Sequence, residues 1–77
     1  MKKMNSQDIK DGLVCIGDYI QDQYSNGLVD YREIIDFQIH DDYDATVVFS
    51  DGGVMGINEI NDRMIFLESE LPHAEEL

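Results

Sequence analysis

The chain has no tryptophan, one proline, one cysteine and five basic residues among its 77. Each scarcity removes a class of protein. The single cysteine, Cys15, cannot close an internal disulfide, so the fold has to stand on its apolar core. No stretch approaches the roughly 20 apolar residues that span a bilayer, and Met1-Lys2-Lys3 leads into polar residues rather than the apolar centre of a signal peptide. These features predict a soluble, cytoplasmic protein. The shortage of bases goes further. Lys2, Lys3 and Lys10 lie in the first ten residues, and beyond them only Arg32 and Arg63 oppose every acid but Asp8. Neutralising phosphates needs a basic surface, so direct contact with nucleic acid or an anionic membrane is disfavoured.

What the chain has in quantity is negative charge: 17 acids and a formal net charge of −12. Such a field steers basic partners toward the surface and raises their on-rates. The length sets a second bound. A chain this short makes one domain with a small core, and leaves little room for an enclosed catalytic cavity.

Between Leu28 and Glu68 apolar residues recur with a period of two, enriched in β-branched and aromatic types, which predicts strands. Ile35, Phe37 and Ile39 share one face against Asp36 and Gln38, and Val47 and Phe49 alternate with Thr46 and Val48. Val54 to Ile57 and Met64 to Leu67 supply two more apolar runs, and "NEINDR" reads as a short helical turn before the last strand. The connections are "HDDYD", His40 to Asp44, and "SDGG", Ser50 to Gly53.

The N-terminal third admits two readings. At about 100° per residue, Ile9, Leu13, Ile16, Ile20 and Tyr24 fall on one stripe, which predicts a helix from about Ser6 to Tyr24 stopped at Asn26-Gly27. Against it, Gly12 and Gly17 each cost roughly 1 kcal/mol inside a helix, and Val14 lies off the stripe. The rival is an opening strand, Leu13 to Ile16 and Tyr19 to Gln23, bent at Gly17-Asp18.

Candidate sites are few. "SDGGVMGINEIND" lacks the lysine and hydroxyl that follow the glycines of a phosphate-binding loop, and its acids fall out of register with a calcium loop. Asp51-Gly52-Gly53 instead predicts a hairpin turn whose glycines take positive φ. His40 beside Asp41, Asp42 and Asp44 offers metal-ligand types, yet one histidine among solvated acids makes a thin site, and no metal or cofactor is expected. Cys15 lacks a nearby base that would activate it and is expected to be a buried, inert thiol. With no catalytic constellation in view, the expectation is a protein that is not an enzyme.

The order Ile16-Gly17-Asp18, Tyr24-Ser25-Asn26-Gly27, Tyr31-Arg32-Glu33-Ile34, Ala45 to Gly53 and Ile57 to Ile60 resembles the Tudor pattern over about Leu13 to Glu68. That resemblance implies an all-β fold, a five-strand bent antiparallel barrel of the SH3-like class with a short helical turn before the last strand. The alternative is an α+β fold with the helix over 6–24 packed on an antiparallel sheet. By the same resemblance, Tyr24, Tyr31 and Phe49 are the candidates for an aromatic cage that holds cationic Arg or Lys side chains. Gly52 stands where the family carries a further aromatic.

On the barrel, Asp18, Asp22, Asp30, Asp36, Asp41, Asp42, Asp44 and Asp51 are placed on loops and outward faces, where they form an acidic surface for a basic protein partner. In size and charge the chain is similar to small acidic phage proteins that imitate nucleic acid and inhibit restriction, CRISPR or other nucleic-acid enzymes. The expected organisation is an N-terminal extension over 1–11, one domain over 12–69 and an acidic flexible tail over 70–77.

Overall fold

The computed structural model describes residues 2–71. It is mostly β: one antiparallel five-strand sheet, one short helix and three 3₁₀ turns. The helix α1 spans Ser6–Lys10, and the strands are β1 Tyr19–Gln23, β2 Val29–Ile39, β3 Ala45–Phe49, β4 Val54–Gly56 and β5 Ile65–Phe66. The 3₁₀ turns cover Ile57–Glu59, Asp62–Met64 and Glu68–Glu70, so the helical turn expected in "NEINDR" is two turns, on either side of Ile60. The last residues of the expected acidic tail, 72–77, lie outside the described residues.

The long-helix alternative fails, and Gly12 is part of the reason. Asn5 starts α1 with a capping box, accepting from the Gln7 and Asp8 amides while the Asp8 carboxylate accepts from the Asn5 amide at 2.9 Å. After Lys10 the chain turns at Gly12, whose φ of +78° stops a helix. The stripe that suggested the helix does not reach the core together: Leu13 is 56% and Ile16 61% exposed, whereas Val14, off the stripe, is 1% exposed. The opening strand is correspondingly shorter than expected. Leu13 to Ile16 is an irregular loop, and only Tyr19–Gln23 pairs.

The strand order is β4-β3-β2-β1-β5. β2 serves both halves of the sheet, pairing Val29 to Glu33 with β1 and Ile34 to Ile39 with β3. The register breaks between Ile34 and Asp36, leaving Ile35 as the extra residue of a bulge. The expected face of Ile35, Phe37 and Ile39 is corrected by this bulge: Ile34 takes the buried position paired with Phe49, Phe37 is half-buried, and Ile35 and Ile39 are exposed. The sheet is not closed. β4 is three residues long and β5 two, and they are its two edges.

Val14, Ile20, Ile34, Ala45, Val47, Phe49, Ile57 and Ile60 form the core with Met4. The alternation predicted for β3 holds, with Ala45, Val47 and Phe49 buried. The N-terminal segment is fastened to this core: the Met4 amide donates to the Ile60 carbonyl at 2.9 Å, the Asp62 amide to the Lys2 carbonyl at 2.9 Å, and Lys3 bridges Asn61. No helix among the described residues is long and apolar enough to cross a membrane.

Candidate functional site

The "SDGG" segment is the expected hairpin turn, but of its two glycines only Gly52 takes positive φ. The Phe49 amide donates to the Gly53 carbonyl at 2.9 Å, and Gly52, with φ +87°, donates back to the Phe49 carbonyl at 3.0 Å. Asp51 accepts from the Gly53 amide at 2.7 Å. The same carboxylate takes two hydrogen bonds from Arg32, from Nε at 2.9 Å and from a terminal nitrogen at 3.2 Å. A further Arg32 nitrogen lies 3.8 Å from Asp22. The guanidinium carbon lies 4.1 Å from the Phe49 ring centroid, and the arginine side chain is only 16% exposed. Hydrogen bonding from Arg32, and then from the Gly53 amide, holds the Asp51 carboxyl below the ordinary carboxylate range.

This arrangement separates the three aromatic candidates. Phe49 is fully buried, and the cation over its ring is the chain's own Arg32. Cross-strand partners share a face, so the register puts Ile20, Asp22, Asp30 and Arg32 on one side of the β1–β2 hairpin and Gln21 and Tyr31 on the other. Tyr31 accordingly packs edge-on against Phe66, with ring centroids 5.6 Å apart, and its hydroxyl accepts from Gln21 at 3.2 Å. Tyr24 reaches the opposite side, its hydroxyl donating to Asp30 at 3.3 Å. The charge of Asp30 is the main reason its phenol titrates above the ordinary tyrosine range. Tyr31 thus faces away from the side of the hairpin that Tyr24 and Arg32 share, so the three rings do not form one cage.

The eight acidic candidates divide by task. Asp22 and Asp51 face Arg32, and Asp18 accepts from the Cys15 amide at 2.9 Å, closing the loop before β1. Asp30 accepts from the Tyr31 amide at 2.9 Å as well as from Tyr24. In the His40 to Asp44 loop the Asp41 carboxylate accepts from the Tyr43 and Asp44 amides at 2.8 and 2.7 Å, a side-chain cap that fixes the turn. Asp42 is 83% exposed and 3.6 Å from Lys10, and Asp36 and Asp44 are exposed. Asp36, Asp42 and Asp44 thus lie exposed at the β2 end and in the β2–β3 loop, while Asp11, Glu59, Asp62, Glu68 and Glu70 are exposed elsewhere.

Several features were not legible beforehand. Tyr43, in the middle of the His40 to Asp44 loop, is an exposed aromatic. Asp8 is buried and bonded to Lys2 at 2.6 Å, a contact that holds its carboxyl below the ordinary range. Cys15 is exposed, not buried: the residue beside it, Val14, takes the core position, and the thiol donates to the Gly12 carbonyl at 3.4 Å. The imidazole of His40 is hydrogen-bonded to the Thr46 hydroxyl at 2.8 Å. Among the described residues no group of three or more His, Cys, Asp or Glu side chains is placed to hold a metal ion.

No protein family, curated protein or solved structure matches the chain. Its class follows from geometry alone: a small acidic protein built on one open antiparallel sheet.

Proposed function

We propose that this chain is a non-enzymatic binding module that engages a basic surface of a protein partner and competes there with nucleic acid. The observation that carries the reading is how the charge is distributed. Lys2, Lys10 and Arg32 are each engaged by an aspartate of the same chain, which leaves Asp36, Asp44 and most of the other described carboxylates facing solvent without a base. A net charge of −12 on so small a body presents a field of the same sign as nucleic acid, at lower density than the duplex's one charge per about 1.7 Å of axis. The partner is a nucleic-acid-binding protein or defence complex, and the role is inhibition of the kind that small acidic phage proteins exert on restriction or CRISPR enzymes.

The strand order, with a bulged second strand shared by two hairpins and 3₁₀ turns before the last strand, supports reading the architecture as an unclosed relative of the SH3-like barrels. A Tudor-like cation cage is the weaker alternative. Tyr31 faces away from Tyr24, and Phe49 is buried and already carries Arg32.

The test is capture of host proteins on the immobilised chain at low salt, followed by elution with duplex DNA. Supporting the reading, the captured proteins are nucleic-acid-binding and DNA releases them. Retention in the presence of excess DNA contradicts it.

A further inference from the structure

The described surface holds a groove lined by none of the candidate acids or aromatics. A half-open groove of about 360 Å³ runs between the N-terminal segment and the β5 edge, lined by Lys2, Met4, Leu13, Asp62 and Ile65. Met4 is buried, Ile65 is half-buried and Leu13 stands exposed on the rim, so floor and wall are apolar. Its mouth is charged. The Lys2 ammonium donates to Asp8 at 2.6 Å, and the charges of Asp8, Asp11 and Asp62 all favour its protonated form. The Lys2 amide donates to the Asp62 carboxylate at 3.1 Å, so two carboxylates, Asp8 and Asp62, flank one ammonium and leave the mouth negative although a lysine occupies it.

We propose that this groove receives an apolar side chain of the basic partner, with that residue's cationic neighbours pairing with Asp62 at the rim. The proposal rests on the acidic-module reading and adds a specific anchor to it. Electrostatic steering brings a basic partner to the surface without fixing its register, whereas an apolar side chain buried in a groove does fix it. The volume lies at the lower end of the range for ligand sites, enough for a leucine or methionine side chain and unsuited to a folded domain. A second copy of this chain is a poor occupant, because its own net charge of −12 opposes approach.

Two synthetic peptides of equal charge test it, acetyl-Arg-Leu-Arg-Leu-Arg amide and acetyl-Arg-Ser-Arg-Ser-Arg amide, titrated into the ¹⁵N-labelled full chain at low salt. The expected result is that the leucine peptide shifts the amide signals of Met4, Leu13 and Ile65 and binds about tenfold more tightly than the serine peptide. Leu13→Ser, at an exposed position that leaves the core intact, removes that advantage and leaves the serine peptide's affinity unchanged. Equal binding of the two peptides, with shifts confined to the His40 to Asp44 loop, overturns the groove and leaves the acidic module standing. Absence of binding by either peptide overturns both.

Discussion

The guanidinium of Arg32 is forked onto the carboxylate of Asp51 through two hydrogen bonds, at 2.9 and 3.2 Å, while its carbon lies over Phe49, 4.1 Å from the ring centroid. One side chain thus ties β2 to the β3–β4 turn and covers the largest side chain of the core. A lysine supplies a point charge and neither the fork nor the stacking plane. Arg32→Lys is therefore expected to lower Tm, measured by circular dichroism. An unchanged Tm would show that the contact contributes nothing.

The two adjacent glycines of the turn are expected to differ in kind. A side chain at Gly53 would run into the Arg32 guanidinium and come within 2.9 Å of Asp51 Oδ1. Gly53→Ala should displace the arginine, and combined with Arg32→Lys it should cost less than the two separate losses added together. Gly52 has open space around it but φ +87°, so Gly52→Ala costs about 1–2 kcal/mol through backbone strain and adds independently to Arg32→Lys. Urea unfolding of the single and double variants distinguishes the two.

Acid should unfold the protein through two particular carboxylates. The Lys2 hydrogen bond depresses the titration of Asp8, and Arg32 does the same for Asp51. A depressed carboxylate contributes stability that is fully present above its unfolded pKa, about 3.9, and is lost as pH falls through its lower folded value. The urea midpoint should therefore fall below about pH 4, and the fall should be shallower in Asp8→Asn and Asp51→Asn. Identical slopes in wild type and both variants would contradict this.

Leu13 and Val14 offer a test of the N-terminal third. Leu13→Ala should change stability by no more than about 0.5 kcal/mol, since the side chain is exposed. Val14→Ala removes two buried methyl groups and should cost about 2 kcal/mol. A helix over residues 6–24 would reverse the order.

The β-rich class, the alternation in β3 and the "SDGG" hairpin were legible in the sequence, because each is a local effect of period two or of glycine at positive φ. What was not legible depends on contacts distant in sequence. The bulge at Ile35 shifts the buried position to Ile34, and nothing in the alternation of Ile35, Phe37 and Ile39 marks it. The amphipathic stripe through Leu13 and Ile16 is a coincidence of spacing broken at Gly12, and it concealed Val14 as a core residue. Among the site residues, composition placed the acids on the surface but did not separate Asp51 and Asp22, which hold Arg32, from Asp36, Asp42 and Asp44, which protrude. That division depends on where one arginine reaches across the sheet.

The central claim concerns charge at the β2–β3 loop, and its most direct measurement is the salt dependence of affinity for a captured partner. The variant to compare is Asp41→Asn with Asp42→Asn and Asp44→Asn. Asparagine keeps the side-chain oxygen that caps Tyr43 and Asp44, so the turn stays intact while its charge is removed. Wild-type affinity is expected to fall linearly with salt on a double-logarithmic plot, and the triple variant to bind at least tenfold more weakly with a shallower slope. Equal affinity and equal slope in the two proteins would contradict the account.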